Sequence, residues 1–91
     1  MTSVEPQAQW HTVREIDEAG GQPKGSAFRC FKRLAGNLVE GRDFVVLDAA
    51  RDAERIRRLK QEGRLYESTV NALMLSQDTA RRIRAMAQGD E

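Results

Sequence analysis

The first regular pattern of apolar positions along the chain is helical. Three apolar residues recur at three-residue spacing: Val13, Ile16 and Ala19. Thr12 followed three residues later by Glu15 is the sequence signature of a capping box, and Gly20 with its neighbouring glycine ends the pattern. The spacing therefore predicts a short helix over residues 13–19.

A second helical pattern follows a turn that contains Pro23. Ser26 is a favourable N-cap residue, and the apolar side chains after it fall on one side of a helix: Ala27, Cys30, Phe31 and Leu34. The opposite side is basic and carries Arg29, Lys32 and Arg33. We predict a helix over residues 27–34 or 27–35, with one face in the core and one face purely basic.

Two later segments have the pattern of β-strands. Residues 43–47 (DFVVL) are β-branched and aromatic. Within residues 66–75, alternation places Val70, Ala72 and Met74 on one face and Leu73 and Leu75 on the other. Alanine, leucine and methionine also suit a helix, so helix stays an alternative there. Two strands are marginal in water, so we expect a two-stranded ribbon that packs against helices or is extended by another chain.

Two further helices are predicted around the second strand. The first is capped by Asp48 or Asp52 and stops at Gly63, and its narrow apolar side consists of Ile56 and Leu59. The second is capped by Ser76 and runs to about Gln88, with inward-facing Ala80, Ile83 and Ala87.

The predicted order is helix, turn, helix, strand, helix, strand, helix. It favours a small α+β domain of the winged helix-turn-helix type, with about four short helices and a two-stranded ribbon. Residues 1–9 have no apolar period and residues 89–91 are acidic, so both are predicted to be tails around one domain, residues 10–88. A chain of 91 residues is long enough for one modest core.

Composition argues against several classes of function. Cys30 is the single cysteine and His11 the single histidine, so we predict no internal disulfide and no metal site. His11 borders a predicted tail and gives no support for a catalytic pairing, so we expect a protein that is not an enzyme and uses no cofactor. The absence of a long apolar run or a signal-peptide profile predicts a cytoplasmic protein without a membrane partner.

The distribution of charge is more informative than its total. The chain has 15 basic and 14 acidic residues, a net charge of +1. Residues 24–33 nevertheless contain four bases and no acid, and basic residues also outnumber acids in residues 51–64. Arginine suits bidentate acceptors such as phosphate or a guanine edge, although high genomic GC content also raises its frequency. A solvated basic face without a partner remains the alternative for the second helix.

These charges predict an interface with double-stranded DNA. An α-helix fits the major groove, so Arg29, Lys32 and Arg33 are predicted to face the groove. Lys24 and Ser26, beside free amides at the helix N-terminus, are predicted to hold a phosphate. Arg42 or Arg64 would contact the DNA backbone near the wing. So few contacts predict weak binding by a monomer and stronger binding by a homodimer.

Three segments resemble a known family: residues 11–34 (HTVREIDEAGGQPKGSAFRCFKRL), 38–47 (LVEGRDFVVL) and 70–83 (VNALMLSQDTARRI). They resemble the amino-terminal DNA-binding domains of phage antirepressor-type proteins, the KilA-N and Bro-N superfamily. The matching positions are Pro23, Lys24, Gly25, Ser26 and Phe31, then Glu40, Gly41, Asp43 and Phe44, then Leu73, Met74, Leu75 and Ser76. The resemblance implies a phage- or prophage-derived regulator of transcription that binds DNA through the second helix. The arginine-rich helix between the strands is longer than the family pattern, so a specific antirepressor activity is not implied.

A second hypothesis comes from a different class of function. The chain would be a non-catalytic protein-interaction or dimerisation module with no nucleic-acid role, whose strand ribbon pairs with another strand. Its basic faces would then only keep it in solution. This hypothesis predicts a continuous exposed apolar patch, with the arginines scattered away from one another.

Overall fold

The computed structural model describes residues 10–89, which form an α+β fold. The elements are β1 (Trp10–Thr12), α1 (Val13–Ala19), α2 (Ser26–Leu34), β2 (Phe44–Leu47), α3 (Ala53–Gln61), β3 (Ala72–Ser76) and α4 (Gln77–Gly89), with one 3-10 turn at Ala35–Asn37. The predicted tails fall outside the described residues, except that Gly89 ends α4. The predicted helices and the strand at residues 43–47 are therefore confirmed, with small shifts of their ends. The strand predicted within residues 66–75 is confirmed only in its second half, because β3 begins at Ala72 and residues 66–71 contain turns and bends.

The three strands form one antiparallel sheet in the order β1-β3-β2. The predicted two-stranded ribbon is wrong, because β1 adds a third strand and β3 lies in the centre. Trp10 pairs with Ser76, so β1 is held by a strand near the other end of the described chain. A three-residue segment has no detectable period of its own, which is why the sequence pattern did not indicate β1.

The two faces of the sheet carry different helices. Leu47, Ala72 and Met74 pack with α3 and Leu65. On the other face, Phe44 and Leu75 pack with α1, α2 and α4. This arrangement confirms the alternation predicted for Ala72 to Leu75, whereas Val70, predicted on the face of Ala72 and Met74, lies before the strand and is exposed. It also places α2 and α3 on opposite sides of the sheet. Within residues 10–89, every helix is too short or too polar to traverse a lipid bilayer.

The start of α1 is the predicted capping box. The Thr12 hydroxyl accepts from the Glu15 amide at 3.1 Å, and the Thr12 amide donates to the Glu15 carboxylate at 2.9 Å. The Arg64 guanidinium donates to the same carboxylate at 2.6 Å. Burial raises the pKa of Glu15, but the hydrogen bonds from Arg64 and Thr12 outweigh it and leave that pKa below its usual value. The capping box of α1 therefore also binds Arg64, in the segment that follows α3.

The other predicted caps have mixed outcomes. Ser76 caps α4 as predicted, since its hydroxyl accepts from the Thr79 amide at 3.1 Å. At α3, Asp52 occupies the cap position but makes no side-chain cap bond, whereas the Asp48 carboxylate accepts from two amides in the preceding turn. At α2 the prediction is wrong, because Ser26 is the first helical residue and the cap position belongs to Gly25. Gly25 has a φ of 96°, which a residue with a side chain rarely adopts.

Candidate nucleic-acid interface

The outer face of α2 is a basic surface. Arg29, Lys32 and Arg33 are all exposed, while the opposite face of the helix is buried in the core. No acidic residue lies on α2 or anywhere between Glu18 and Glu40 in the sequence. The predicted division of α2 into a buried face and an exposed basic face is therefore confirmed, but the exposed face is not purely basic, because Phe28 is also exposed on it. We call Arg29, Lys32 and Arg33 the α2 basic face.

A buried carboxylate fixes the position of α2. Asp17, in α1, is only 1% exposed and accepts from the amides of Gly25 at 3.0 Å and Ala27 at 2.7 Å. The Tyr66 hydroxyl donates to the same carboxylate at 2.6 Å. Asp17 thus supplies the side-chain acceptor that Ser26 was expected to supply, and it does so from a different helix. It also ties α1, the turn and the start of α2 into one unit.

This arrangement corrects the predicted phosphate site at the N-terminus of α2. The Ala27 amide donates to Asp17, and the Ser26 amide donates to the Pro23 carbonyl at 3.1 Å. Neither amide is free to bind an anion. A buried carboxylate directly behind the helix end also opposes a second negative charge there.

Lys24 lies against the segment that follows α3 rather than along α2. Its Nζ is 3.3 Å from the Ser68 hydroxyl and 4.9 Å from the centroid of the Tyr66 ring. Lys24 is exposed, and its recorded contacts are with Ser68 and Tyr66 rather than with a residue of α2.

A shallow groove runs between α2 and the end of α4. It has a volume of about 240 Å³ and brings Ser26 together with Arg29 and Arg33, beside Ala87 of α4. Ser26 is half-buried at the margin of this groove. Three of the seven predicted site residues, Ser26, Arg29 and Arg33, therefore line this groove, and Lys32 precedes Arg33 on the same helix.

The remaining two predicted residues are engaged elsewhere. Arg42 is 72% exposed and pairs with Asp43 at 3.0 Å, in the turn before β2. The Arg42 guanidinium holds the pKa of Asp43 below its usual value. Arg64 donates to Glu15 and to the Trp10 carbonyl at 3.0 Å, so its contacts lie within the β1 and α1 region. The contacts of Arg42 and Arg64 are therefore with residues outside the α2 basic face.

An exposed aromatic side chain also belongs to this surface, and the sequence analysis missed it. Phe28 is 46% exposed and stacks on the buried Phe31, with ring centroids 6.3 Å apart. The Lys32 Nζ lies 5.5 Å from the centroid of the Phe28 ring. Helical periodicity could have indicated its exposure, because Phe28 falls outside the side of the helix formed by Ala27, Cys30, Phe31 and Leu34.

The other arginine clusters differ from α2 in the charges beside them. Arg55, Arg57 and Arg58 are exposed on α3, but across the sheet from α2 and next to Glu54. On α4, Arg82 lies 3.6 Å from the Asp78 carboxylate. α3 and α4 each contain an acidic residue beside these arginines, whereas α2 contains none.

The lone histidine lies in a separate cavity. His11 lines a space of about 350 Å³ between α1 and α4, together with Glu15, Arg81 and Arg84. Among residues 10–89, no group of three or more histidines, cysteines or carboxylates is placed to hold a metal ion. Cys30 is buried in the core, on the inner face of α2.

No protein-family model, curated protein or solved structure matches this chain. The resemblance to phage antirepressor-type domains therefore stays a prediction. What the α2 surface binds must be inferred from its own geometry.

Proposed function

We propose that this protein binds double-stranded DNA through α2, as a small regulatory protein of the winged helix-turn-helix type that acts without catalysis or a cofactor. The observation that carries the proposal is the α2 basic face, three exposed cations on one helix that has no acidic residue. The resemblance to phage DNA-binding domains points to the same helix. A phage- or prophage-derived role in transcription agrees with both.

The shape of this region fits the proposal. A helix of nine residues is about 13 Å long, and the major groove is about 12 Å wide and admits one helix. Asp17 holds α1 behind α2 across the turn at residues 20–25, as the first helix of a helix-turn-helix supports the recognition helix. The antiparallel strands β2 and β3 would correspond to the wing. They are joined through α3 instead of a tight hairpin turn, which is a departure from the simplest form of that architecture.

The number of cations bounds the affinity. Three phosphate contacts give a slope of log affinity against log salt of about −3, so binding by a monomer should be weak and strongly salt-dependent. Two copies acting on adjacent half-sites would roughly double that slope, and a homodimer is the form that we expect to act on DNA.

Fluorescence anisotropy with a labelled random-sequence duplex at low salt tests the proposal. The variant carries R29A, K32A and R33A, and its matched control carries R55A, R57A and R58A on α3. Both remove three exposed cations from a nine-residue helix, so the total charge changes equally. We expect the α2 variant to lose at least tenfold in affinity and most of its salt slope, while the α3 variant changes by less than threefold.

Two results would contradict DNA binding through α2. One is no binding of the duplex by the wild-type protein at tens of micromolar. The other is an equal loss in the two triple variants, which would mean that only total charge matters.

One observation favours a second function, pairing with another strand. β2 lies at an edge of the sheet, and its Val46 is 47% exposed. The Phe44 carbonyl at this edge already accepts from the Gly41 amide at 2.7 Å, but the part of the edge after Phe44 can receive a strand from a second copy or a partner protein. Light scattering over a range of concentrations tests this, and V46K should abolish any dimer that forms through β2.

A further inference from the structure

Phe28 lies in the first turn of α2 and is the most unusual exposed side chain of that helix. Nearly half of its surface is accessible, whereas the other exposed large apolar residues within residues 10–89 are valines outside the helices: Val39, Val46 and Val70. A phenylalanine on the outer side of an otherwise basic helix exposes apolar area that folding could have buried. An exposed aromatic residue at a candidate interface is a common anchor for a binding partner.

The ring of Phe28 is held in place by its neighbours. It stacks on Phe31 with an interplanar angle of 20°, and Phe31 packs edge-on against Phe44 of β2 with centroids 5.1 Å apart. Lys32, one helical turn later, places its Nζ 5.5 Å from the ring centroid. Little side-chain entropy is therefore left to lose when the ring meets a ligand.

The position of Phe28 determines what it would meet on DNA. In helix-turn-helix proteins, residues in the first turn of the recognition helix reach base edges. The apolar group that base pairs display in the major groove is the C5-methyl of thymine, and a phenylalanine side chain can contact it. Arg29, the next residue, suits the two acceptors of guanine. Phe31 and Lys32 already contact the Phe28 ring, which favours contact with a methyl group over stacking against a whole base.

We propose that Phe28 is a specificity-determining residue that contacts a thymine C5-methyl group in the major groove. This inference rests on the proposed function, because it requires α2 to enter the groove. It adds a substrate class to that function: duplexes with thymine at a fixed position beside the base read by Arg29.

The first arm of the test is selection from a randomised duplex pool. Wild-type protein, F28A and the control V70A are used, since Val70 is exposed in a loop between α3 and β3. We expect wild type and V70A to enrich the same thymine, and F28A to lose that preference while it still binds duplex DNA through the α2 basic face.

The second arm alters only the DNA. Deoxyuridine replaces the selected thymine, which removes the methyl group and keeps every hydrogen-bonding atom. We expect the affinity of wild type to fall about fourfold, the effect on an equilibrium of losing one buried methyl-sized group. F28A should bind the two duplexes equally. F28L keeps an apolar side chain and should retain part of the difference.

The outcomes separate this inference from the proposed function. If wild type binds duplex DNA but enriches no thymine, or binds the uracil duplex equally well, Phe28 does not read thymine and DNA binding through α2 stands. If F28A enriches the same thymine as wild type, another residue reads it. If wild type binds no duplex, both proposals are wrong. If F28A does not fold, the uracil duplex with wild type and F28L decides the matter.

Discussion

Two nine-residue basic helices lie on opposite faces of the same small sheet, and they differ in ways that total charge does not reveal. α3 carries four basic residues, Arg55, Arg57, Arg58 and Lys60, with Glu54 among them. α2 carries three and no acidic residue. The helix with fewer cations is therefore the one whose own side chains carry charges of a single sign.

The helices also differ in how their first turns are held. The N-terminus of α2 is fixed by Asp17, a buried side chain from another helix. The turn before α3 is held by exposed contacts: the Asp52 carboxylate accepts from the Asp48 amide at 2.9 Å, and the Asn71 side chain accepts from the Ala49 amide at 2.8 Å. A helix that recognises a rigid partner must be held firmly in one position, because a misplaced side chain loses most of the binding energy of its contact. The comparison teaches that side-chain charges of one sign and firm attachment together mark a candidate interface.

The largest expected effect is on stability, when the Asp17 contact at α2 and the Asp52 contact at α3 are each removed. D17A leaves two amides and the Tyr66 hydroxyl without their acceptor, so we expect a loss of about 3 kcal/mol in the free energy of unfolding. D52A removes an exposed contact and should cost about 0.5 kcal/mol. Urea unfolding followed by circular dichroism measures both. Similar losses in the two variants would mean that Asp17 does not anchor α2 more firmly than Asp52 holds α3.

A smaller effect is expected when each helix is given the charge pattern of the other. K32E places a carboxylate three residues after Arg29, and E54K removes the acid of α3; each reverses one charge. We expect K32E to weaken the binding of random-sequence duplex about tenfold at low salt, and E54K to change it by less than threefold. Anisotropy titrations at several salt concentrations measure both. If E54K strengthens binding as much as K32E weakens it, overall charge and not α2 controls association.

The smallest expected effect is a change in the pKa of Tyr66, which reports on the hydrogen bond to Asp17. Among residues 10–89, α3 has no corresponding buried carboxylate at its first turn. Tyr66 is the only tyrosine, and burial followed by its hydrogen bond to Asp17 raises its pKa from 10 to about 12. The ultraviolet absorbance of the phenolate should therefore appear near pH 12, and D17N should shift it to lower pH. Because the folded state holds this proton more tightly, its contribution to stability is complete below pH 10 and is lost as pH rises through about 12. An unshifted titration in D17N would contradict the hydrogen bond.

Local signals predicted most of the secondary structure. The Thr12 and Glu15 capping box and the alternation of Ala72 to Leu75 depend on residues close together in sequence, and both are confirmed. β1 could not be predicted, because its three residues become a strand only through pairing with β3. Pairing between distant segments leaves no local period to detect.

Only the part of the candidate site that depends on local sequence could be predicted. The exposure of Arg29, Lys32 and Arg33 follows from helical periodicity. The pairing of Arg64 with Glu15 and the role of Asp17 do not, since each joins residues of different elements. Asp17 adjoins Ile16 in a short helix, where a carboxylate is ordinarily solvated; only the three donors around it explain its burial.

The central place of β3 in the sheet has a consequence for folding. β1 and β2 do not touch each other in the strand order; both pair with β3, the last strand of the three along the chain. During synthesis, neither strand has a partner until residues 72–76 have left the ribosome, so the sheet closes late and through contacts of large sequence separation. Until then α1 and α2 can pair through Asp17 but have no sheet beneath them, so a nascent chain that stops before β3 exposes the apolar side of both helices to chaperones and proteases.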